Sequence, residues 1–307
     1  MADKSEIREA LGDIAFGKIL YDEPMSRYAS LCVGGNADAL MFVESEKELI
    51  QIIRRLSERK INFIPVGNLT NIIVRDGGYR GAILLMKGLK EINCASTLEG
   101  DYCVSAQSGA TLSMLVSYAA AKALTGLEFC AGIPGSVGGA VWMNAGAYGK
   151  EIKDIIQKIS LLTAYGEKKT LRREEISFGY RTSGLPQESI ILDAKFKLEK
   201  GQIEQIKGKI SEIIKWRQEK HPLNFPNAGS IFKNLPGQPA GHLIEEMGLK
   251  GISCNDAEVS PKHANFIVNK GKATASDVLT LIAAIQAKAK KEKGINLETE
   301  VVIVGED

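Results

Sequence analysis

The residues best suited to chemistry lie in the stretch 126–149, GLEFCAGIPGSVGGAVWMNAGAYG. Glycine recurs there at 126, 132, 135, 138, 139, 146 and 149, and no apolar residues fall at helical spacing. Each glycine loses more backbone freedom on folding than alanine, so the stretch makes a poor helix and a poor strand interior. Glycine suits a backbone on which a ligand lies directly. The run Gly132-Ile133-Pro134-Gly135-Ser136-Val137-Gly138-Gly139 has the character of a nest of backbone N–H groups that holds an anion. Trp142, Met143 and Asn144 follow, and the whole is almost uncharged. Such a surface suits a large flat cofactor with a phosphate tail; a ligand-free loop packed on a helix is the plainer alternative. A second cradle is Gly67-Asn68-Leu69-Thr70-Asn71, where backbone N–H groups and short polar side chains can donate. Asn-rich turns also arise for conformational reasons alone.

The surrounding pattern shows what positions these loops. A strand over 61–66 runs into the second cradle and a strand over 72–74 leaves it. Ile7, Leu11, Ile14, Ala15 and Ile19 predict a helix over 6–20. Ser45-Glu46-Lys47-Glu48 is a capping-box pattern opening a helix with Leu49, Ile52, Ile53 and Leu56 on its apolar face. Thr111 caps a helix reaching Lys122, and strands cover 155–162 and 190–198. The amphipathic helix 202–218 marks a domain boundary. Beyond it come a turn at 227–230, a helix over 241–247 and a strand over 266–268. Thr274 opens a long helix that Gly294 stops, and a strand covers 297–304.

The totals narrow the function classes. With 307 residues, 44% hydrophobic and 25% charged, the chain has room for two or three domains of a soluble globular protein. A net charge of +2 and 6% aromatics argue against nucleic acid or an acidic membrane as partner. Cys32, Cys94, Cys103, Cys130 and Cys254 are scattered and lack metal-site spacing, so they are expected as reduced thiols, with no disulfide framework and no metal. The charged N-terminus has no apolar core, and no segment approaches eighteen apolar residues. A soluble cytoplasmic protein with no obligate protein partner is expected.

Taken in order, a set of motifs resembles the UDP-N-acetylenolpyruvoylglucosamine reductases, flavoenzymes of bacterial cell-wall precursor synthesis. They are Val33-Gly34-Gly35-Asn36-Ala37-Asp38, Val66-Gly67-Asn68-Leu69-Thr70-Asn71, and the 132–139 run with Met143-Asn144-Ala145-Gly146-Ala147-Tyr148-Gly149. Phe178-Gly179-Tyr180-Arg181-Thr182-Ser183 and Asn227-Ala228-Gly229-Ser230-Ile231-Phe232-Lys233-Asn234 follow. Last come Lys262-His263-Ala264-Asn265-Phe266-Ile267-Val268-Asn269 and Leu297-Glu298-Thr299-Glu300-Val301. The resemblance spans residues 28–305. It implies an α+β fold, with a two-lobed FAD-binding domain of the vanillyl-alcohol-oxidase (PCMH) type followed by an α+β substrate-binding domain. The implied divisions are lobe 1 at 1–85, joined by the terminal strand 297–305, lobe 2 at 86–201, and the substrate-binding domain at 202–296. No G-x-G-x-x-G follows a strand, so this is not a Rossmann site. The stretch 181–190 is short, which matches the subtype lacking a tyrosine-bearing substrate loop.

The resemblance also implies roles. FAD binds non-covalently at Gly67, Asn68, Leu69, Thr70, Asn71, Gly132, Ile133, Pro134, Gly135, Ser136, Gly138, Gly139, Asn144, Ala145 and Gly146, with NADPH as hydride donor. Leu69 and Thr70 stand where the family has glycine and serine; threonine keeps the hydroxyl, whereas leucine restricts positive φ. Tyr180, Lys220 and Asn234 meet the nucleotide-sugar substrate. The implied reaction reduces the enolpyruvyl double bond of UDP-N-acetylglucosamine enolpyruvate to give UDP-N-acetylmuramate for peptidoglycan. Hydride at C3 leaves negative charge at C2, which needs a proton and a cation nearby. Ser230 is the implied proton donor, Arg181 the planar cation, and Glu300 a carboxyl expected protonated beside the enol. Without the motifs these would be a turn serine, a surface arginine and a solvent-facing strand residue. His263 and Asn265 are expected as structural hydrogen-bonders. Two other readings stay open: another FAD-dependent oxidoreductase acting on a hydroxy acid or alcohol, and a flavin-free module that binds a nucleotide sugar. A visible absorption spectrum separates the latter.

Overall fold

The computed structural model describes residues 4–12, 17–96 and 102–307. Helix α1, Lys4–Leu11, buries Ile7, Ala10 and Leu11. The helix expected over 6–20 ends early, because Gly12 follows its last turn and Gly17 turns at φ +70° into the strand Lys18–Pro24, which carries Ile19. Ile14 and Ala15 lie outside the described residues. Helix α2, Glu46–Glu58, starts as the capping pattern predicts: Ser45 Oγ accepts from the Glu48 N–H at 3.2 Å. The Glu48 carboxylate reaches back to the Glu44 N–H at 2.8 Å, one residue beyond the cap itself. Helix α3, Leu112–Ala121, is capped by Thr111. Helix α4, Val137–Trp142, was not expected, since it lies within the glycine-rich stretch. Ser136 caps it by accepting from the Gly139 N–H, and Val137, Ala140 and Val141 bury one face. The cap and that burial outweigh about 1 kcal/mol per helical glycine.

Helix α5, Ile203–Lys220, is followed by α6, Ala240–Glu246, and α7, Ala275–Lys293. Thr274 and Asp277 form a capping box on α7, and Gly294 closes it in the left-handed conformation at φ +69°. The Asp76 carboxylate accepts from the Ala275 and Ser276 N–H groups at 2.9 and 2.8 Å, a favourable charge at that helix start.

The chain divides into two compact units. The first comprises 1–20, 39–68 and 81–216. Its larger sheet is antiparallel, in the order Lys168–Arg172, Ile156–Leu162, Ile190–Lys200, Tyr102–Gln107, Ile92–Ser96. Alternate residues such as Val104, Ile159 and Phe196 bury against Leu115 of α3 and Val137 and Val141 of α4. A parallel pairing of Phe63–Val66 with Tyr79–Leu85 delivers the chain to Gly67.

The second unit comprises 21–38, 69–80 and 217–307. Leu31, Ile73, Phe232, Leu243, Val278 and Ile285 share its core, which is why 21–38 and 69–80 group with α6 and α7. Its three-stranded sheet is Ser253–Cys254, Ala257–Val259, Ile267–Asn269. The terminal strand pairs in parallel with Ile72–Val74, but it covers only Val302–Val304 and not the expected 297–304. Among the described residues no helix is long and apolar enough to cross a membrane, and no cluster of His, Cys, Asp and Glu could hold a metal ion.

Candidate active site

Within the first unit the two glycine-bearing cradles touch. A Cβ on Gly67 would collide with Ser136 Oγ, so only glycine lets the chain pass this close to the Ser136 side chain. Gly132 at φ +70° and Gly135 at φ +150° take conformations that also favour glycine. The nest is narrower than its sequence suggests. The N–H groups of Ile133, Val137, Gly138 and Gly139 are spent on Cys130 O, Ala110 O, Ser108 O and Ser136 Oγ, at 3.1, 2.8, 2.8 and 3.2 Å. Pro134 has no N–H. The amides left for an anion are those of Gly132, Gly135 and Ser136. A contact that a single Cβ would fill, next to uncharged backbone donors, fits a dinucleotide diphosphate.

Arg181 occupies a tight turn in the same unit. The Gly179 N–H donates to Thr182 O at 2.9 Å, and Arg181 sits at φ +55°. Its Nη2 donates to Gly146 O at 3.2 Å, and its guanidinium carbon lies 5.0 Å from the centroid of the Tyr180 ring, which is half exposed. Asn144 is fully buried. Its Nδ2 donates to Glu151 Oε2 at 3.1 Å and Gly179 O at 2.9 Å, and its Oδ1 accepts from the Lys153 N–H at 3.0 Å. That side chain is spent on protein groups.

In the second unit, Ser230 follows an Asn227 turn in which Asn227 Oδ1 accepts from the Gly229 N–H at 3.0 Å. The chain then runs extended beside the segment carrying Glu300. The Glu300 N–H donates to Ile231 O at 2.7 Å, and Lys233 N–H to Glu298 O at 2.9 Å. The segments carrying Ser230 and Glu300 therefore run side by side, with Phe232 bridged to Thr299. Glu300 stands in a bend before Val302–Val304, not within a strand as its alternation suggested. Two amides brace the pair. Asn265 Oδ1 accepts from the Phe232 N–H and its Nδ2 donates to Phe232 O, at 2.9 and 2.8 Å. Asn71 Nδ2 donates to Glu300 O at 3.0 Å. The residue types of Asn71 and Asn265 were visible in their motifs, but these partners, 229 and 33 residues away, were not. Lys220 ends α5 and is exposed; Asn234 is exposed too, its Oδ1 accepting from the Ala240 N–H.

The chain matches the FAD binding domain family over residues 37–172, and the UDP-N-acetylenolpyruvoylglucosamine reductase C-terminal domain over 221–304. It is 50% identical over 301 residues to the UDP-N-acetylenolpyruvoylglucosamine reductase of Syntrophus aciditrophicus, covering 98% of this chain and 96% of the relative. The chain belongs to the UDP-N-acetylenolpyruvoylglucosamine reductase family. The family enzyme of Caldanaerobacter subterraneus is 45% identical over 291 residues, 94% of this chain and 95% of that one. The crystal structure of the family enzyme from Thermus caldophilus superposes with a TM-score of 0.79 at 34% identity, covering 94% of this chain and 99% of that one. The protein is an FAD-dependent oxidoreductase of this family, with an α+β fold.

Leu69, in the second cradle where the resemblance implies glycine, sits at φ +53° with its side chain only 2% exposed. A leucine covered by protein is not the surface a cofactor meets. Leu69→Gly relieves about 1 kcal/mol of left-handed strain but loses about 2–5 kcal/mol of burial, so stability falls. FAD affinity changes by less than about tenfold, or about 1.4 kcal/mol. Urea unfolding and flavin fluorescence titration measure the two; an FAD affinity gain beyond tenfold would show that Leu69 crowds the phosphates.

The family motif's His263 is a hydrogen-bonder: its Nδ1 accepts from the Asn265 N–H at 3.2 Å. It packs with Phe266 and His221, ring centroids 4.9 and 5.4 Å away. Burial, helped by Arg217, His263 and Lys262, pushes His221 down from 6.5 to about 4. The folded state thus holds the imidazole neutral while the unfolded chain takes up the proton first. Stability declines as pH falls from 6.5 toward 4, by up to about 3 kcal/mol. Urea midpoints at pH 7 and pH 5 show this, and His221→Gln flattens the slope; an unchanged slope in the variant rules out His221 as its source.

Proposed function

We propose that this protein uses NADPH to reduce the enolpyruvyl double bond of UDP-N-acetylglucosamine enolpyruvate, giving UDP-N-acetylmuramate for peptidoglycan precursor synthesis in the cytoplasm. The observation that carries the reading is the Ile231–Glu300 backbone bond at 2.7 Å, which holds the segment with Ser230 alongside the segment with Glu300, two family motifs. The lobes 1–85 (with 297–305) and 86–201 hold FAD, and 202–296 receives the substrate. Residues 67–71 and the amides of Gly132, Gly135 and Ser136 would hold the FAD diphosphate. FAD, when bound, supplies the hydride relay from NADPH to C3 of the enolpyruvyl group.

This chain's own groups handle the charge and the proton. Arg181 binds the substrate carboxylate with a planar cation, stabilising the negative charge that develops at C2. Ser230 Oγ–H delivers the proton to C2; a hydroxyl is acidic enough only because that carbon is strongly basic. Glu300 hydrogen-bonds the enol. Tyr180, Lys220 and Asn234 contact the nucleotide sugar, with Lys220 suited to its diphosphate. The deciding assay is NADPH oxidation in the presence and absence of the enolpyruvyl nucleotide sugar. A yellow preparation with substrate-dependent oxidation is expected. A colourless protein that cannot be reconstituted with FAD, or oxidation indifferent to that substrate, overturns the proposal.

A further inference from the structure

The segment 142–146 meets the arginine turn at three points spaced two residues apart. Trp142 O accepts from the Ser183 N–H at 2.9 Å, Asn144 Nδ2 donates to Gly179 O at 2.9 Å, and Gly146 O accepts from Arg181 Nη2 at 3.2 Å. Two of these use backbone on the 142–146 side. The third is the one a side-chain change can remove. From this geometry we infer that Asn144 is a positioning residue for Arg181, and not a contact of the cofactor. The inference rests on the proposed role of Arg181 toward the substrate.

The arrangement explains why asparagine stands at 144. Its backbone is left-handed at φ +46°, which short polar side chains tolerate. The carboxamide then satisfies a carbonyl, a carboxylate and an N–H with its two donors and one acceptor. Glu151 is itself paired with Lys153 Nζ at 2.5 Å, so the far end of the clamp is anchored. Arg181 is left-handed too, a conformation that persists only where surrounding contacts enforce it. Without the Asn144 amide, Gly179 O keeps only the long 3.4 Å bond from the Thr182 N–H, and the turn is held from one side less. A guanidinium displaced by about an ångström loses much of its value in the transition state.

The test uses the FAD-loaded enzyme and the two half-reactions. Asn144→Gly keeps the backbone conformation and removes the amide. Flavin reduction by NADPH and FAD affinity, read by flavin fluorescence, should stay within about threefold, while reoxidation by the enolpyruvyl nucleotide sugar slows about 10- to 100-fold. In an Arg181→Ala background the same change should slow reoxidation by less than about twofold, because residues acting through one group are not additive. Asn144→Ser, which is uncharged and too short to replace the amide's reach to Gly179 O, should behave likewise and serves if the glycine variant does not fold. Reoxidation at the parent rate, full additivity with Arg181→Ala, or FAD affinity weakened more than tenfold overturns the inference. Arg181→Ala reoxidising at the parent rate overturns instead the role of Arg181 itself, and this inference with it.

Discussion

Ser230→Ala is expected to keep its FAD and to be reduced by NADPH at close to the parent rate, while its reoxidation by the enolpyruvyl substrate slows by about 10² or more, the usual size of a lost general acid. The asymmetry follows from the proposed chemistry, in which the hydroxyl acts on the substrate only after hydride has arrived. It also follows from how the turn is held. Gly229 N–H bonds to Asn227, Ile231 N–H to Asn265 O, and Phe232 to the Asn265 amide, and none of these contacts uses the Ser230 hydroxyl. Alanine therefore removes the donor and leaves these braces in place. Stopped-flow absorbance at the flavin band, run separately for each half-reaction, reads the outcome. Loss of FAD, or equal slowing of both halves, would point to a structural role. Reoxidation at the parent rate would mean that Ser230 is not the proton donor.

Arg181→Lys is expected to lower substrate-dependent turnover by about 10² or more with a normal flavin spectrum, since lysine keeps the charge but not the planar multi-donor face. Both residues meet the same left-handed backbone at 181, so the comparison isolates the head group. Lysine also gives up the Nη2 bond to Gly146 O and the stacking on Tyr180. Steady-state NADPH oxidation measures the loss. Near-parental turnover would remove Arg181 from the site.

How much of this could be read before the structure depended on distance along the chain. Caps at Ser45, Thr111 and Thr274 and the Gly294 stop were readable because each is settled within four residues. The glycine content of 132–139 pointed to a cradle, yet half of that run is spent starting α4, because a serine cap and three buried side chains override propensity. Glu300 followed alternation on paper, but its neighbours pair with 231–233 rather than continuing a strand. The order of the motifs carried the family. What they could not carry is the reach of an amide: Asn144 to Gly179, Asn71 to Glu300, Asn265 to Phe232.

The parallel pairing of Val302–Val304 with Ile72–Val74 has a consequence for biosynthesis. Its partners Ile72 and Val302 stand 230 positions apart, so the pairing closes a loop whose entropy cost is on the order of 5 kcal/mol. A ribosome has to deliver those 230 positions before the ladder can form. Until then the Asn71 amide has no Glu300 carbonyl to hold, and Ile231 has no partner N–H. A nascent chain can thus shape its glycine loops early while the pairing of Ile231 with Glu300 stays unassembled. Translation that stops short of residue 300 leaves Ile231 and Asn71 without the backbone groups they hold in the finished fold.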